Sequence, residues 1–440
     1  MNSSNAATSA PSATQDAQSV SLRRTTAGVA IGNFTEWYDF GVYSYIIPIV
    51  AEVFFPMSGL ANIAAFVGLA ISFLVRPFGG IFWGLLGDRF GRKGILAATV
   101  LLMAGGTFAL GILPGFAAIG VAAPVLLFVC RGLQGLSTGG EYVGAMTFLV
   151  EHAPDERRGH ICSFLPVGTL SGYIFGAVLV IALEALLTHD QMLAWGWRIP
   201  FLLALPLGVA GLYVRMRLEE TPVFENLDTR EKVTNLTGVE QLRVTLAGHW
   251  RTILVCGGLV IAFNVTNYML TGYLPTYLAA DIGVAEGPAL TIVTIVMAIL
   301  AVIVTFLGRL SDRIGRKPIM MAGSLMLVFL SVPIFLLMQR MDHLSVFLGT
   351  LPMGLMLVCF MSTEPSSLPA LFPTNVRYGA TSIGFNVFVS LFGGTTPLVA
   401  AALVEATGDL LMPAYVLIFA GVVGAISVMA MPEVAGQPLE

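Results

Sequence analysis

Charged residues are scarce in this sequence of 440 residues. Asp, Glu, Lys and Arg make up 11% of it and hydrophobic residues 56%, whereas a soluble domain has roughly 25% charged residues. The mean hydropathy is +0.85. Because a water-soluble globule cannot bury so large an apolar fraction, the composition excludes one. The net charge of −4 leaves no basic excess for a nucleic-acid partner.

Cysteine and histidine are also few, and neither is spaced as in a metal site. The four cysteines fall inside apolar stretches, which indicates isolated buried thiols. The five histidines form no pair with ligand spacing. These residues are Cys130, Cys162, Cys256, Cys359, His152, His160, His189, His249 and His343. The sequence therefore predicts no metal and no cofactor.

Signs of an enzyme or a channel are missing. The chain has no G-x-x-x-x-G-K-[ST] loop, no soluble segment long enough to hydrolyse ATP, and no nucleophile–base group inside its apolar stretches. It also lacks repeated pore-lining charges or a carbonyl filter. A carrier driven by an ion gradient fits best. One alternative is a transport-like sensor, which measurable uptake into vesicles would distinguish from a carrier, and another is efflux in place of uptake.

Apolar stretches long enough to cross a bilayer recur along the chain. A hydrocarbon core of about 30 Å needs roughly 20 residues of helix. Twelve spans result, at about 26–50, 60–84, 94–113, 120–149, 161–187, 198–215, 251–279, 288–309, 318–338, 344–371, 377–404 and 410–431. The sequence thus predicts an all-α membrane protein of twelve transmembrane helices in two six-helix bundles.

The polar segments divide this array into parts. We expect a disordered cytoplasmic N-terminus at 1–25, a six-helix bundle at 26–215, a cytoplasmic linker at 216–250, a second bundle at 251–431 and a cytoplasmic C-terminus at 432–440. With the N-terminus inside, 18 of the 22 basic residues lie on the inner side. This bias predicts a multi-pass membrane protein with both termini in the cytoplasm.

One ten-residue phrase occurs twice, once in each half. Residues 84–93 read GLLGDRFGRK and residues 308–317 read GRLSDRIGRK, which are the same at seven of ten positions. Each copy places an Asp at the inner end of a span and basic residues after it. We predict that these side chains gate the inner end through charge-assisted hydrogen bonds; the alternative is that the cations only set topology. The residues are Asp88, Arg89, Arg92, Asp312, Arg313 and Arg316.

The repeated phrase resembles the motif of the major facilitator superfamily. GNFTEWYDFGVY, RPFGG, RGLQGLSTGGEY, WGWRIPF and LEETPVFE resemble its metabolite:proton symporter family, over about residues 27–436. NVTNYMLTGYLPTYL and LMPAYVL resemble members that carry osmolytes. The resemblance implies a protein of the bacterial inner membrane that takes up a zwitterion such as proline or glycine betaine together with protons; the alternative is an organic acid such as shikimate, 2-oxoglutarate or citrate. Glu364-Pro365 departs from it, since apolar or small residues are expected there.

Ionisable residues inside the spans are costly and therefore informative. Glu36 and Asp39 share one face of the first helix, and two nearby carboxylates disfavour double ionisation. We predict that Glu36, Asp39 and Glu141 take part in proton coupling; the alternative is a structural role. Arg131 either pairs with Glu36 or Asp39 or binds a substrate carboxylate.

Polar and aromatic residues inside the spans suggest a substrate site. Asn264 and Asn267 lie on one stripe of the seventh span, and aromatic faces suit an ammonium group. The predicted binding residues, any of which can instead serve packing, are Arg131, Trp37, Tyr43, Tyr142, Asn264, Asn267, Tyr268 and Asn386. The expected partners are a small molecule, protons and the lipid bilayer, without nucleic acid or an obligate protein partner.

Overall fold

The computed structural model describes residues 11–56, 59, 61–90, 92–216, 238–374 and 376–439. For residues 11–25, 81, 84–90, 92–98, 100, 214–216, 238–245 and 286 it describes the backbone alone. Within these ranges every regular element is a helix or helical turn. This is the result expected in lipid, where a backbone must satisfy its own hydrogen bonds.

The first half of the chain forms eleven helices in the described residues. They are α1 (Pro11–Tyr45), α2 (Ile47–Phe54), α3 (Ala61–Phe90), α4 (Arg92–Ile112), α5 (Phe116–Ile119), α6 (Ala122–Thr138), α7 (Glu141–His152), α8 (Arg158–Cys162), α9 (Phe164–Leu186), α10 (His189–Gln191) and α11 (Arg198–Met216). Helix α1 begins inside the segment 1–25, which we expected to be disordered. Pro11 suits a first helical position, and no Gly or further Pro interrupts the chain before Gly28, so the helix extends outward from the span.

The second half forms nine helices in the described residues. They are α12 (Gly238–Tyr268), α13 (Leu274–Ala280), α14 (Glu286–Ile314), α15 (Arg316–Met338), α16 (His343–Met361), α17 (Glu364–Ser367), α18 (Arg377–Phe388), α19 (Thr396–Thr407) and α20 (Met412–Ala430). Helix α12 begins within the expected linker 216–250 and has a non-helical φ/ψ pair at His249. The part of that linker at 217–237 lies outside the described residues.

Nine of the twelve predicted spans are apolar and long enough to cross a bilayer. Eight are single segments in the described residues, and a ninth is a pair bent by 43° at residues 196–198. The other three are the spans predicted at 26–50, 94–113 and 120–149. These three remain predictions: in the second of them the apolar helix among the described residues is Leu101–Ile112, and the third is divided between α6 and α7.

Helix packing follows the order of the chain, with contacts across the two halves at specific places. In the first half α1 packs on α9, α4 on α11 and α3 on α6; in the second, α15 packs on α16 and α20, and α12 on α18 and α20. Across the halves α9 and α8 contact α14, and α3 and α7 contact α18. These contacts bring α1, α3, α7, α12 and α18 around the centre of the molecule.

Two single-turn π-helices lie at this centre. Met269–Tyr273 separates α12 from α13, and Val389–Gly393 separates α18 from α19. Such turns widen a helix locally and are frequent at functional sites.

Candidate functional site

Four buried aromatic side chains meet at the centre, around Trp37. Its ring centroid lies 5.9 Å from that of Tyr142, 5.6 Å from Tyr173 and 6.1 Å from Tyr268. Trp37 is oriented by Asn33, whose Oδ1 accepts from the indole Nε1 at 2.8 Å. We call Trp37, Tyr142, Tyr173 and Tyr268 the aromatic cluster. It joins α1, α7 and α9 of the first half to α12 of the second.

A buried ion pair adjoins this cluster. Arg76 Nη2 donates to Glu36 Oε1 at 3.1 Å, and both side chains are 1% exposed. The Arg76 guanidinium lies 5.9 Å from the Phe73 ring and 6.0 Å from the Phe385 ring. These rings extend the aromatic cluster, because Phe73 is 4.9 Å from Tyr268 and Phe385 is 5.2 Å from Tyr142.

Close helix packing fixes the position of Arg76. A Cβ atom at Gly139 would collide with the carbonyl oxygen of Arg76, and one at Gly135 with that of Ser72. Only glycine at these positions lets α6 approach α3 so closely. The small residues of α6 therefore hold the guanidinium beside α1.

Several buried polar atoms near the cluster have no hydrogen-bond partner among the described residues. On Arg76 they are Nε and Nη1. In the second half they are Asn264 Oδ1, the Tyr268 hydroxyl and Asn386 Oδ1. Buried polar groups are nearly always hydrogen-bonded, so this concentration of donors and acceptors indicates a ligand site.

The structure places each predicted binding residue as follows. Trp37, Tyr142 and Tyr268 belong to the aromatic cluster, and Tyr173 interacts with Asn267 on the facing helix. Asn386 Nδ2 donates to the Gly139 carbonyl of the other half at 2.6 Å.

Arg131 and Tyr43 form a separate group inside the first half. The Arg131 guanidinium stacks 4.1 Å from the centre of the Tyr43 ring. Its Nη1 donates to Gln134 Oε1 at 2.8 Å and its Nε to the Gly68 carbonyl at 3.3 Å. In the described part of the chain Arg131 forms no ion pair with Glu36 or Asp39. Most of its donors are already engaged, unlike those of Arg76.

The three predicted proton-coupling residues line one small cavity. Glu36, Asp39 and Glu141 all border a space of about 10 Å³ between α1, α4, α7 and α11, which is the room needed by about one water molecule. Asp39 Oδ2 accepts from the Thr107 hydroxyl at 2.8 Å, and Gln134 Nε2 donates to the same hydroxyl at 2.5 Å. The three carboxyls therefore share one polar environment.

Asp312, from the second copy of the repeated phrase, bonds across the two halves. Its Oδ1 accepts from the Gly159 backbone N–H at 2.7 Å, and its Oδ2 from that of His160 at 2.9 Å. Arg316 Nη2 lies 3.6 Å from Asp312 Oδ1, whereas Arg313 is exposed. We call this end of the molecule the Asp312 end. The side chains of Asp88, Arg89 and Arg92 lie outside the described part.

Further contacts close the Asp312 end, and none of them was predicted from the sequence. Arg377 Nη1 lies 3.2 Å from Glu151 Oε1 across the halves. Arg158 Nη1 donates to the Gln437 carbonyl at 2.9 Å. In the sequence, Arg377 and Arg158 are recognisable only as basic residues of the inner side. That pattern does not indicate which residues they bind.

A carboxylate also caps α15 beside this end. Glu433 accepts from the backbone N–H groups of Arg316 and Lys317, each at 3.0 Å. Burial raises the pKa of Glu433, but the accepted bonds from Arg316, Lys317 and Ala435 outweigh burial and hold the pKa below its ordinary value. The ionised form of Glu433 is therefore the form that stabilises the fold.

The opposite end is open. A cavity of about 560 Å³ there is lined from the first half by Pro48, Glu52 and Asn62, among others, and from the second half by Ala280, Val284 and Glu405, among others. We call this the Glu52 end. The described residues thus join the two halves at the Asp312 end and leave a cavity between them at the Glu52 end, and the lining of that cavity includes no residue of the aromatic cluster.

Comparisons with known proteins agree with this architecture. The family model described as Major Facilitator Superfamily matches residues 29–384 and, in a second match, 254–437. The proton:xylose symporter XylE has a similar structure, with a TM-score of 0.77 and 18% identity over 96% of this chain and 98% of that one. A further crystal structure of a D-xylose–proton symporter gives a TM-score of 0.72 at 16% identity, covering 95% of this chain and 100% of that one.

Curated relatives are more similar in sequence. The chain is 41% identical to the proline/betaine transporter of Salmonella typhimurium over 95% of this chain and 85% of that protein. It is 42% identical, with the same coverage, to the glycine betaine/proline/ectoine/pipecolic acid transporter OusA of Dickeya dadantii. It is 44% identical to a putative proline/betaine transporter of Staphylococcus aureus, over 91% of this chain and 86% of that one.

Proposed function

The chain belongs to the major facilitator superfamily, and we propose that it is a proton-coupled symporter that takes up a small zwitterionic osmolyte, such as proline or glycine betaine. The family and fold are those of multi-pass membrane transporters. The names of relatives that are 41–44% identical support the substrate class. The observation that carries the proposal is the guanidinium of Arg76, with two unpaired nitrogens beside the aromatic cluster.

The two charges of a zwitterion match two features of this site. The substrate carboxylate binds the Arg76 guanidinium at Nη1, which has no partner among the described residues, and at the adjacent Nη2 once Glu36 releases it, because these two nitrogens offer parallel donors to a carboxylate. The ammonium group lies against the rings of Trp37, Tyr142 and Tyr268, whose faces attract cations. Asn264, Asn267 and Asn386 supply further polar contacts from the second half. Arg76 replaces Arg131 as our first candidate for binding the substrate carboxylate. Tyr43, which stacks on Arg131, is set aside as a binding residue together with Arg131.

The ion pair between Glu36 and Arg76 couples the proton to the substrate. When Glu36 is ionised, Arg76 is neutralised by it and has less attraction for a substrate carboxylate. When Glu36 takes up a proton, the buried guanidinium loses its counter-charge, and a substrate carboxylate restores it. Breaking a buried pair without replacement costs about 3–5 kcal/mol. The proton and the substrate therefore bind together, with Asp39 and Glu141 as relay groups in the same cavity.

Alternating access then moves the halves at 26–215 and 251–431 relative to each other. Asp312 and Arg316 hold the Asp312 end closed in the present conformation. By the repeat of the motif we assign the same gating role to Asp88, Arg89, Arg92 and Arg313. The distribution of basic residues supports a cytoplasmic Asp312 end with both termini inside, so the open end faces the outside of the cell membrane.

Uptake into proteoliposomes tests this function. One proton moving with a zwitterion carries net positive charge, so an inside-negative potential and an inside-alkaline pH gradient must each drive uptake of labelled glycine betaine or proline. Uptake that responds to neither gradient would contradict the proposal. Transport of shikimate, 2-oxoglutarate or citrate without any transport of zwitterions would instead favour the organic-acid alternative.

A further inference from the structure

Glu364 is a buried carboxyl that the proposed transport mechanism does not use. It is the first residue of α17, directly after the break that separates α16 from α17 in the tenth span, and is 1% exposed. Neither carboxyl oxygen has a hydrogen-bond partner among the described residues. The neighbouring hydroxyls donate elsewhere: Thr363 to the Cys359 carbonyl at 2.8 Å, and Ser366 and Ser367 to the Thr363 carbonyl at 2.9 and 2.7 Å.

Among the described residues no cation compensates this carboxyl. The titratable side chains in electrostatic contact with it are Tyr142 of α7 and Cys256 of α12, which are neutral groups. In the described part of the chain it forms no ion pair with the charged or titratable side chains of the elements around it, which include Glu151, His152, Arg158, His160 and Arg316. An isolated carboxylate is far costlier to bury than the neutral acid. Glu364 is therefore held as the acid in this conformation.

The position of Glu364 ties its burial to the closed Asp312 end. Helix α17 packs against α7 and α8, and α8 carries the two backbone amides that bind Asp312. When α8 separates from α14, water reaches the carboxyl and allows it to ionise. An ionised carboxylate cannot return to this environment without a counter-charge.

We propose that Glu364 is a second proton-binding site, separate from Glu36, and that the Asp312 end closes only when Glu364 carries a proton. The inference rests on the proposed alternation of the two halves but on no particular substrate. Hydrated glutamic acid ionises near pH 4.3. Above that pH, closure linked to one proton becomes up to about tenfold less favourable for each pH unit.

Cys162 is a built-in reporter of opening at this end. It is fully buried and lies beside Arg158, Asp312 and Arg316, so a thiol reagent reaches it only when the closed contacts separate. A variant that keeps Cys162 alone has Cys130→Ser, Cys256→Ala and Cys359→Ser. All four cysteines of the chain are free and buried.

The experiment measures maleimide labelling of this single-cysteine protein in lipid nanodiscs, without substrate, from pH 6 to pH 8. Each rate is divided by that of the denatured protein, which removes the intrinsic dependence on thiolate. We expect the normalised rate to rise with pH, by up to about tenfold per unit, and to be low and flat in Glu364→Gln. Glu156→Gln, an exposed acid at the same end, is the matched control and keeps the slope.

The outcomes separate this inference from the proposed function. A flat rate in the parent protein, or a slope that survives Glu364→Gln, overturns the second proton site. Glu364→Met, an apolar side chain of similar length, must also be flat, and it serves if Glu364→Gln does not fold. Because labelling needs no substrate, failure of osmolyte uptake would remove the proposed function without changing this result.

Discussion

The substitution Glu36→Gln is the most direct test of whether proton coupling can be separated from substrate binding. The substitution keeps the size of the side chain and an amide oxygen that can accept from Arg76 Nη2, which now donates at 3.1 Å. It removes the charge and the ability to carry a proton. We expect the variant to lose uphill accumulation of the osmolyte but to retain exchange of internal for external substrate.

The magnitudes follow from the burial of the pair, since both side chains are 1% exposed. Removing one charge of such a pair costs about 3–5 kcal/mol, and the remaining hydrogen bond returns about 1.5–3 kcal/mol. The net loss of folding stability is therefore between about 0 and 3.5 kcal/mol. The expected effect of the substitution on accumulation is larger than its effect on stability. One proton across 100 mV supplies about 2.3 kcal/mol, so about fiftyfold accumulation should fall to about onefold.

The assay is uptake of labelled glycine betaine into proteoliposomes with an inside-negative potential, followed by counterflow with no potential. Counterflow in Glu36→Gln shows that the protein is folded and binds substrate. Glu156→Gln is the matched control, because Glu156 is exposed and forms no ion pair with Arg76 in the described residues, so it should keep both accumulation and counterflow.

Fiftyfold accumulation in Glu36→Gln would refute this reasoning, since the ion pair would then not be the coupling element. Loss of both accumulation and counterflow, with unchanged thermal stability, would also refute it. That result would mean that Glu36 is required for substrate binding itself.

Three further predictions follow from named contacts. Arg76→Lys replaces the two parallel donors of the guanidinium with one compact ammonium group, so the apparent KM for glycine betaine should rise about 10- to 100-fold in uptake assays. An unchanged KM would argue against Arg76 as the binding site of the substrate carboxylate. Asp312→Asn weakens two charge-assisted hydrogen bonds to the backbone amides of α8, worth about 1.5–3 kcal/mol. The normalised rate of Cys162 labelling should therefore increase about 10- to 100-fold. Labelling at the parental rate would exclude Asp312 as a gating residue. Because the pKa of Glu433 is held below its ordinary value, its stabilisation is present above the unfolded value of about 4.3 and is lost as the pH falls through the lower folded value. Thermal unfolding of Glu433→Gln should therefore give a lower Tm at pH 7 and a smaller decrease toward pH 3, and parallel curves for the two proteins would contradict this.

Much of the candidate site could be predicted from the sequence because charges in apolar spans stand out. Glu36, Asp39 and Glu141 were identified in this way, and the structure places all three on one cavity. Arg76 is also a charged residue inside a span, in the phrase RPFGG, but that sequence context does not indicate what it binds. Its two unpaired nitrogens became visible only with the positions of Phe73 and Phe385.

Tyr173 could not have been predicted from the sequence as part of the aromatic cluster. It lies on α9 in an apolar stretch with no polar periodicity, and its neighbour Trp37 is more than 130 residues away in the chain. The same holds for Glu151 and Arg377, which pair across the two halves. Contacts of this kind depend on which helices meet, and helix order alone does not determine that.

The sequence by itself determined the fold class and the membrane location, because both are local properties. A run of about 20 apolar residues in lipid must be helical to satisfy its own backbone, and the repeated phrase marks the two halves without knowledge of any contact. Only the tertiary structure decided the partner of each buried charge. Arg76 pairs with Glu36 and Arg131 stacks on Tyr43 because the glycines of α6 bring α3 within backbone contact. A guanidinium and a carboxylate attract each other wherever they meet, so it is the packing of the helices that selects which pairs form.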